Sequence, residues 1–331
     1  MAKTVTIGTY NVENLFTRFR FKGKRVQRTV NGQRKTVTVP LDATELRDKA
    51  VQKGFILDPK VVQRTMEDTR KLTAKALSAM GADIVGLQEV ENLDTLKTFN
   101  SRYLKGKKRR FPYQYVIDGN DPRFIDVALL SRYEGDFLRT HQFLGSGRSR
   151  TFSRDCLEAD FRIGNTTLTV FVNHFKSMMG GRANTKARRL RQANAMIDIL
   201  KDRFGNNYGD APFVILGDLN DYSEPGKENE SGIQPMLASN QMENVLDRLP
   251  AGNRWTHFYN RDKSYHQLDY IFISKALKAQ NKTVKPIVER RGMPLRVNPK
   301  NGPKRVTKFF PEIKGKLKAS DHCAVSIKLR V

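Results

Sequence analysis

The sequence predicts a layered α/β fold built on mixed β-sheets. Strand-like apolar runs alternate with amphipathic, helix-like stretches along the chain. Several strand pairs are separated by too few residues to hold a crossover helix, so hairpins must be mixed with parallel pairs. Polar, chemistry-bearing residues sit where strand-like runs stop, and layered α/β folds build their sites at strand ends.

Residues 4–11 form a β-rich strand, with Val5 and Ile7 as apolar members and Val12 just beyond. Residues 25–39 have the form of a β-hairpin around Asn31-Gly32, with Val/Thr alternation and little core of its own. Over 62–80, Val62, Met66, Leu72, Ala76, Leu77 and Met80 recur at helical spacing, and Gly81 is the stop. Residues 83–88 are a buried strand ending in Glu89, and a second helix starts near Asn92. Strands recur at 113–117, 127–131, 159–163 and 166–172. A long amphipathic helix covers 183–204, with Ala187, Leu190, Ile197, Leu200 and Phe204 on one face and Lys186, Arg188, Arg189 and Arg191 on the other. Residues 212–216 are another buried strand, 222–235 a polar loop, and 267–274 and 324–331 the last strands. No repeat and no Pro/Gly/Ser linker divides the chain. A single domain over 1–331 is expected, carrying a basic hairpin insertion at about 18–39 and a basic loop at about 296–318.

Hydrophobic residues make up 38% of the 331, enough for a sizeable core. The net charge is +26, from 60 Lys+Arg against 34 Asp+Glu, and points to a polyanionic partner. The two cysteines, Cys156 and Cys323, cannot build a disulfide scaffold and have no metal-type spacing, so buried free thiols are expected. The N-terminal sequence has no secretory pattern and no apolar run is long enough to span a bilayer. A cytoplasmic monomer is the default expectation.

The strand-end fragments are Tyr10-Asn11, Gln88-Glu89, Asn173-His174, Gly217-Asp218-Leu219-Asn220, Leu268-Asp269-Tyr270 and Ser320-Asp321-His322. Hydrolysing a phosphodiester requires neutralised phosphoryl charge, an activated water and a stabilised leaving oxygen. Carboxylates and a carboxamide suit Mg²⁺, with Mn²⁺ or Ca²⁺ as alternatives, and Glu89 and Asp321 with Asn11 are the candidate ligands. Asp269 can orient His322 by accepting its second N–H. Asp218 and Asn220, two apart, face the same way on an extended segment, so that Asp218 can act on a water. Each fragment also has a bland explanation: an Asx turn for 218–221, a cap for Asp321, a solvated strand end for Gln88-Glu89, a core histidine for His174. The functional reading rests on their occurring together.

The ordered set TYNVEN, DIVGLQEVEN, DVALLSR, VNHFKS, VILGDLND, QLDYIFIS and SDHCAV, from Thr9 to Val325, resembles the endonuclease/exonuclease/phosphatase (DNase I-like) superfamily. The resemblance implies a four-layer α/β sandwich, two mixed sheets packed face to face with helices outside, and divalent-metal hydrolysis of phosphoester bonds. It matches Asn11 and Glu89 to the first-strand Asn and the metal-binding Glu, and Asp321 to the acid beside the catalytic His. His174 matches a contact to the scissile phosphate, Asp218 and Asn220 the GDxN pair, and Asp269 and His322 the Asp–His pair. Arg154 resembles a phosphate-contacting Arg, and Lys176, Asn11 and Asn220 join it as candidate substrate contacts. Asp118 and Asp126 both lie where a carboxylate partner for His174 is expected.

Basic segments at 18–35, 105–110, 182–191 and 296–318 flank these motifs, and the first and last attach directly to site fragments. A surface of this kind suits a repeating phosphate backbone. The expected activity is low-specificity hydrolysis of DNA, with RNA as a second substrate. The alternatives are a phosphatase or phospholipid phosphodiesterase of the same fold, or an inactive nucleic-acid-binding module. No apolar membrane-docking loop is evident; Phe309-Phe310 is the nearest and sits among lysines.

Overall fold

The computed structural model describes residues 3–15, 24–30, 33–39, 59–106, 110–121, 123, 125–145, 150–224, 226–298 and 306–331. The chain forms two compact units, Met1–Leu15 with Thr69–Val331, and Phe16–Asp68. In chain order the strands and helices are β1 (Thr4–Leu15), β2 (Lys24–Val30), β3 (Gln33–Val39), α1 (Pro59–Met80), β4 (Ile84–Val90), α2 (Leu93–Tyr103), β5 (Tyr113–Val116), β6 (Asp126–Ser131), β7 (Gly135–Thr140), β8 (Cys156–Ile163), β9 (Thr166–His174), α3 (Arg182–Phe204), β10 (Phe213–Asp218), α4 (Gln234–Leu237), β11 (Met242–Asn244), β12 (His257–Tyr259), β13 (Ser264–His266), β14 (Asp269–Ser274), α5 (Lys275–Gln280), β15 (Ile287–Glu289) and β16 (Ala324–Arg330).

The larger unit holds two six-stranded mixed sheets, ordered β15-β16-β1-β4-β6-β5 and β11-β14-β10-β9-β8-β7. Each has a central parallel pair, β1/β4 and β9/β10, flanked by antiparallel neighbours. The two-residue period of a strand sorts the side chains into layers. Val5, Ile7, Ile84, Val127 and Leu129 of the first sheet meet Val170, Val172, Val214, Leu216, Ile271 and Ile273 of the second in one buried core. The alternate residues Tyr10, Val12, Val85, Leu87 and Leu130 face outward onto Leu72, Leu77 and Met80 of α1 and Leu96 and Phe99 of α2. On the other sheet, Phe171, Phe213, Ile215 and Phe272 face Ala193, Met196 and Leu200 of α3. This is the four-layer α/β sandwich. The sheets approach so closely at Gly86 that a Cβ there would lie 2.0 Å from Leu216 Cδ1.

Helix α2 opens on Asn92, whose side chain accepts the Thr95 N–H, and Gly81 ends α1 with φ of 61°. The apolar face of α3 differs from the expected one. Arg189 is fully buried, with Thr185, Gln192, Ala193, Met196, Ile199 and Leu200, whereas Ala187 is exposed. The reason is an ion pair: Arg189 Nε lies 2.7 Å from Asp221 Oδ2, so a charge takes a core position that apolar periodicity cannot register. Cys156 and Cys323 are buried and free. Phe310 packs in the outer core of the first sheet. No helix among the described residues is long and apolar enough to cross a membrane.

The smaller unit contains the antiparallel ribbon β2–β3, paired from Lys24↔Val39 to Val30↔Gln33. The Asn31-Gly32 turn, residues 18–23 of the basic hairpin segment, 107–109 and 299–305 lie outside the described residues.

Candidate active site

Register alone brings the central groups together. At the end of β10, Asp218 is paired with His174 of β9 on one side and Asp269 of β14 on the other. In the facing sheet, Asn11 of β1 is paired with Gln88 of β4, one residue before Glu89. The site residues then leave strand geometry. Glu13, Asn14, Glu89 and Asn220 all have positive φ, between 49° and 67°, and the β1/β4 ladder shifts register between Asn11 and Leu15. At Gly217, φ is 142° and a Cβ would lie 1.9 Å from the Asn173 carbonyl oxygen, so only glycine lets Asp218 follow there.

Asp218 is the hub. Asn11 Nδ2 and Asn220 Nδ2 donate to its Oδ2 at 3.0 and 3.1 Å, and the Asn220 N–H donates to Oδ1 at 2.9 Å. The Nε2 atoms of His174 and His322 stand 3.6 and 3.8 Å from Asp218 Oδ2. Asn220 Nδ2 also donates to the Phe175 carbonyl at 3.1 Å, tying this turn to the end of β9. Burial drives the Asp218 carboxyl up to about 7, against the pull of His322.

His322 Nδ1 lies 2.8 Å from Asp269 Oδ2. Burial opposes the imidazolium, but Asp269 and Asp218 outweigh it and hold His322 well above its ordinary value. His174 goes the other way: burial, then the charges of Arg154 and His322, hold it well below. Two imidazoles beside one carboxylate are therefore set in opposite protonation states.

A second acidic group adjoins the hub. Burial and the Asp321 charge raise the Glu89 carboxyl, opposed by the charge of His322 and a hydrogen bond with Asn11. Glu13, pushed up to about 7 by burial and Asp321, accepts the Asp321 N–H at 2.9 Å and pairs with Lys318. Burial would raise Asp321, but His322, Lys318 and His257 keep it below the usual carboxylate value. Carboxylates that repel one another across a partly exposed space, with a carboxamide beside them, offer a hard cation an all-oxygen donor set. Asp218, Asp269 and His322 also have ligand atoms within 4.8 Å of one another and could hold a metal ion. There, Asp269 Oδ2 and His322 Nδ1 engage each other, which leaves His322 Nε2 and Asp269 Oδ1, the latter with no hydrogen-bond partner among the described residues.

The remaining expected residues fall differently. Arg154 is only 2% exposed; its Nε stands 3.2 Å from Asp121 Oδ2 and its Nη1 donates to the Phe175 carbonyl at 3.3 Å. It is as buried as His174, and its Nε has no hydrogen-bond partner among the described residues. Lys176 Nζ bonds the Ser177 carbonyl and hydroxyl, and Lys176 is half-buried. Neither Asp118 nor Asp126 partners His174. Asp126 accepts the Gly119 N–H at 2.9 Å, Asp118 is exposed, and His174 Nδ1 has no hydrogen-bond partner among the described residues.

Several participants carry no spacing signal in the sequence. Glu13 lies within TYNVEN, but its approach to Asp321 depends on the positive-φ turn after Asn11. The Thr256 hydroxyl accepts the N–H groups of Leu268 and Asp269, both at 3.0 Å, and the Thr256 carbonyl accepts from Cys323, aligning the Asp269–His322 pair. The His257 ring packs tilted against His322, with ring centroids 4.8 Å apart and 49° between planes. Asp121 and Arg123 adjoin Arg154.

A family model described as "Endonuclease/Exonuclease/phosphatase family" matches residues 55–294. The chain belongs to the endonuclease/exonuclease/phosphatase family. That family's folds recur among solved structures. Truncated TDP2 of Caenorhabditis elegans superposes with a TM-score of 0.59 at 15% identity, covering 99% of this chain and 98% of that one. TDP2 of D. rerio, complexed with a single-strand DNA product, gives 0.56 at 15% identity, with 99% of each chain covered. The human Nocturnin catalytic domain, with bound sulfate, gives 0.52 at 16% identity over 80% of this chain and 86% of that one. At these identities the likeness is one of fold. No curated protein sequence matches the chain. Family membership makes phosphoester hydrolysis the coarse activity of the site.

Proposed function

We propose that this protein is a divalent-metal-dependent phosphodiesterase that hydrolyses DNA, and RNA as a second substrate, with little sequence specificity. The observation that carries this reading is the convergence of Asn11, Asn220, His174 and His322 on the single carboxylate of Asp218.

Asp218 takes the water proton. Its two carboxamide donors fix its orientation before substrate arrives, and a carboxyl raised to about 7 holds a proton well at neutral pH. His322 acts as a cation. Asp269 occupies its Nδ1, which leaves Nε2–H to donate to a phosphoryl oxygen as charge builds there. His174, held neutral, contributes a hydrogen bond without adding charge. Glu89 and Asp321, with Asn11 and the neighbouring Glu13, would hold the divalent ion. That ion, when bound, neutralises phosphoryl charge and stabilises the leaving oxygen.

The net charge of +26 supports a polyanionic substrate, as do the exposed Lys314 and Lys316 in the run leading to Asp321 and the exposed Arg188 on α3. The test is incubation of the full chain with supercoiled plasmid, linear duplex, single strand and RNA, in Mg²⁺, Mn²⁺, Ca²⁺ or EDTA. Nicking of the plasmid is expected with metal and not in EDTA. Absence of cleavage of every nucleic acid in every metal would refute the proposal.

A further inference from the structure

The residue expected to meet substrate phosphate, Arg154, is buried beside a second arginine. Its Nη1 donates to the Phe175 carbonyl at 3.3 Å and the Ser153 hydroxyl at 3.4 Å, and its Nε faces Asp121. Asp121 holds a second guanidinium. Arg123 Nε donates to Oδ1 and Nη2 to Oδ2, both at 2.9 Å, and the Arg123 N–H donates to Oδ1 at 3.0 Å. A bidentate clamp of this kind fixes a planar guanidinium in direction as well as position. The Arg123 side chain is 48% exposed, against 2% for Arg154.

Asp121 is thus shared by two guanidiniums, and Arg123 is the one that reaches solvent. This pair is wired to the hub, because the Phe175 carbonyl accepts from both Arg154 Nη1 and Asn220 Nδ2. Arg123 is also near enough that its charge acts on His174 and Lys176 and feels that of Glu89. The guanidiniums of Arg154 and Arg123 therefore share one carboxylate, which leaves net positive charge beside the end of β9. That arrangement suits an anion, and Arg123 is the half-exposed guanidinium of the set.

We propose that Arg123 contacts a phosphate oxygen of the bound nucleic-acid strand, held there by Asp121, with the buried Arg154 beside it. This rests on the phosphodiester reading of the site. A contact to one phosphate has a signature that loss of packing does not share: it releases counterions, so it enters the salt dependence of binding.

The experiment measures binding of a fluorescein-labelled duplex to the full chain in EDTA across a KCl series, alongside plasmid nicking in Mg²⁺. For Arg123→Ala the slope of log K against log[KCl] is expected to become shallower by about 0.9. The KM for plasmid is expected to rise about tenfold, with kcat changing less than about threefold. Arg123→Lys, which keeps the charge, is expected to restore the slope. An unchanged slope in Arg123→Ala overturns the assignment, and so does a lost slope that Arg123→Lys fails to restore. If Arg123→Ala lowers the melting midpoint, Arg123→Gln, which keeps a donor to Asp121, takes its place with the same slope change expected. Wild-type protein that binds duplex but nicks nothing would remove the nuclease reading, and the slope would still decide Arg123. Wild-type protein with no salt-dependent binding overturns both.

Discussion

Asp269 lies directly across the β10–β14 ladder from Asp218, and its Oδ2 stands 2.8 Å from His322 Nδ1, with all three side chains buried. The ladder thus sets base and cation side by side without a loop having to place either. Removing the Asp269 charge should act through His322. Asp269→Asn is expected to lower kcat for plasmid nicking about 10²-fold, in the range of a lost acid–base contribution.

The pH profile gives the sign. Asp269 and Asp218 raise His322, so its active cationic form persists into the alkaline range and is lost as pH rises through the raised value. In Asp269→Asn that support is gone, and the alkaline limb should move to lower pH. Nicking rates of the two proteins between pH 6 and pH 10 check this. An alkaline limb that stays in place would show that His322 does not act as the cation.

Asp126 offers a contrast outside the hub. Burial raises its carboxyl to about 6, above the ordinary 3.8. The folded state then holds a proton that the unfolded chain releases, so stability falls as pH rises from about 3.8 to about 6 and levels off above. Asp126→Asn keeps an acceptor for the Gly119 N–H and removes that loss. It should gain on the order of 1 kcal/mol in urea denaturation at pH 8 and nothing at pH 3.5. Its plasmid nicking should equal that of the wild type, since Asp126 does not meet His174.

Arg189 and Asp221, both fully buried, brace the turn that carries Asn220. Arg189→Met leaves Asp221 with Arg182 as its remaining cation and should cost about 3 kcal/mol in urea denaturation. Arg189→Met combined with Asp221→Asn should lose less than the sum of the single changes, because the stranded charge is then absent.

Much of this was readable in the sequence, for identifiable reasons. The stretches 84–87 and 213–216 are buried on both faces, so their residues are apolar throughout and their ends are abrupt. Such ends carry Glu89, His174 and Asp218, whereas Asn11 sits where the β1 ladder shifts register and Asp269 and His322 stand at or just before the start of β14 and β16. The strands β7, β11, β12, β13 and β15 were not anticipated: most are three residues long, and β7 is a half-exposed edge, so none has enough period to show. Glu13, Asp121 and Arg123 were hidden for another reason. Glu13 acts through a positive-φ turn, and Arg123 through a carboxylate shared with Arg154 across a sequence gap, and neither relation has a spacing to detect. Arg189 misled for the converse reason, a charge occupying a core position.

The acidic group should report on metal apart from turnover. Glu89→Ala and Asp321→Ala are each expected to sharply weaken nicking, with excess Mg²⁺ restoring it in part. Binding to the folded state alone should raise the wild-type melting midpoint as Mg²⁺ is added, and both variants should respond less. Full activity of either variant in EDTA would remove the assignment of these carboxylates.

One comparison decides whether the Asp218 hub is a hydrolytic centre: nicking of supercoiled plasmid by wild-type protein and by Asp218→Asn, each in Mg²⁺ and in EDTA. The substitution keeps the side chain's shape and removes the base. The wild type should nick in Mg²⁺ and not in EDTA, and Asp218→Asn should be slower by at least about 10²-fold while still binding duplex. Undiminished nicking by Asp218→Asn, or nicking by the wild type in EDTA, would contradict the mechanism.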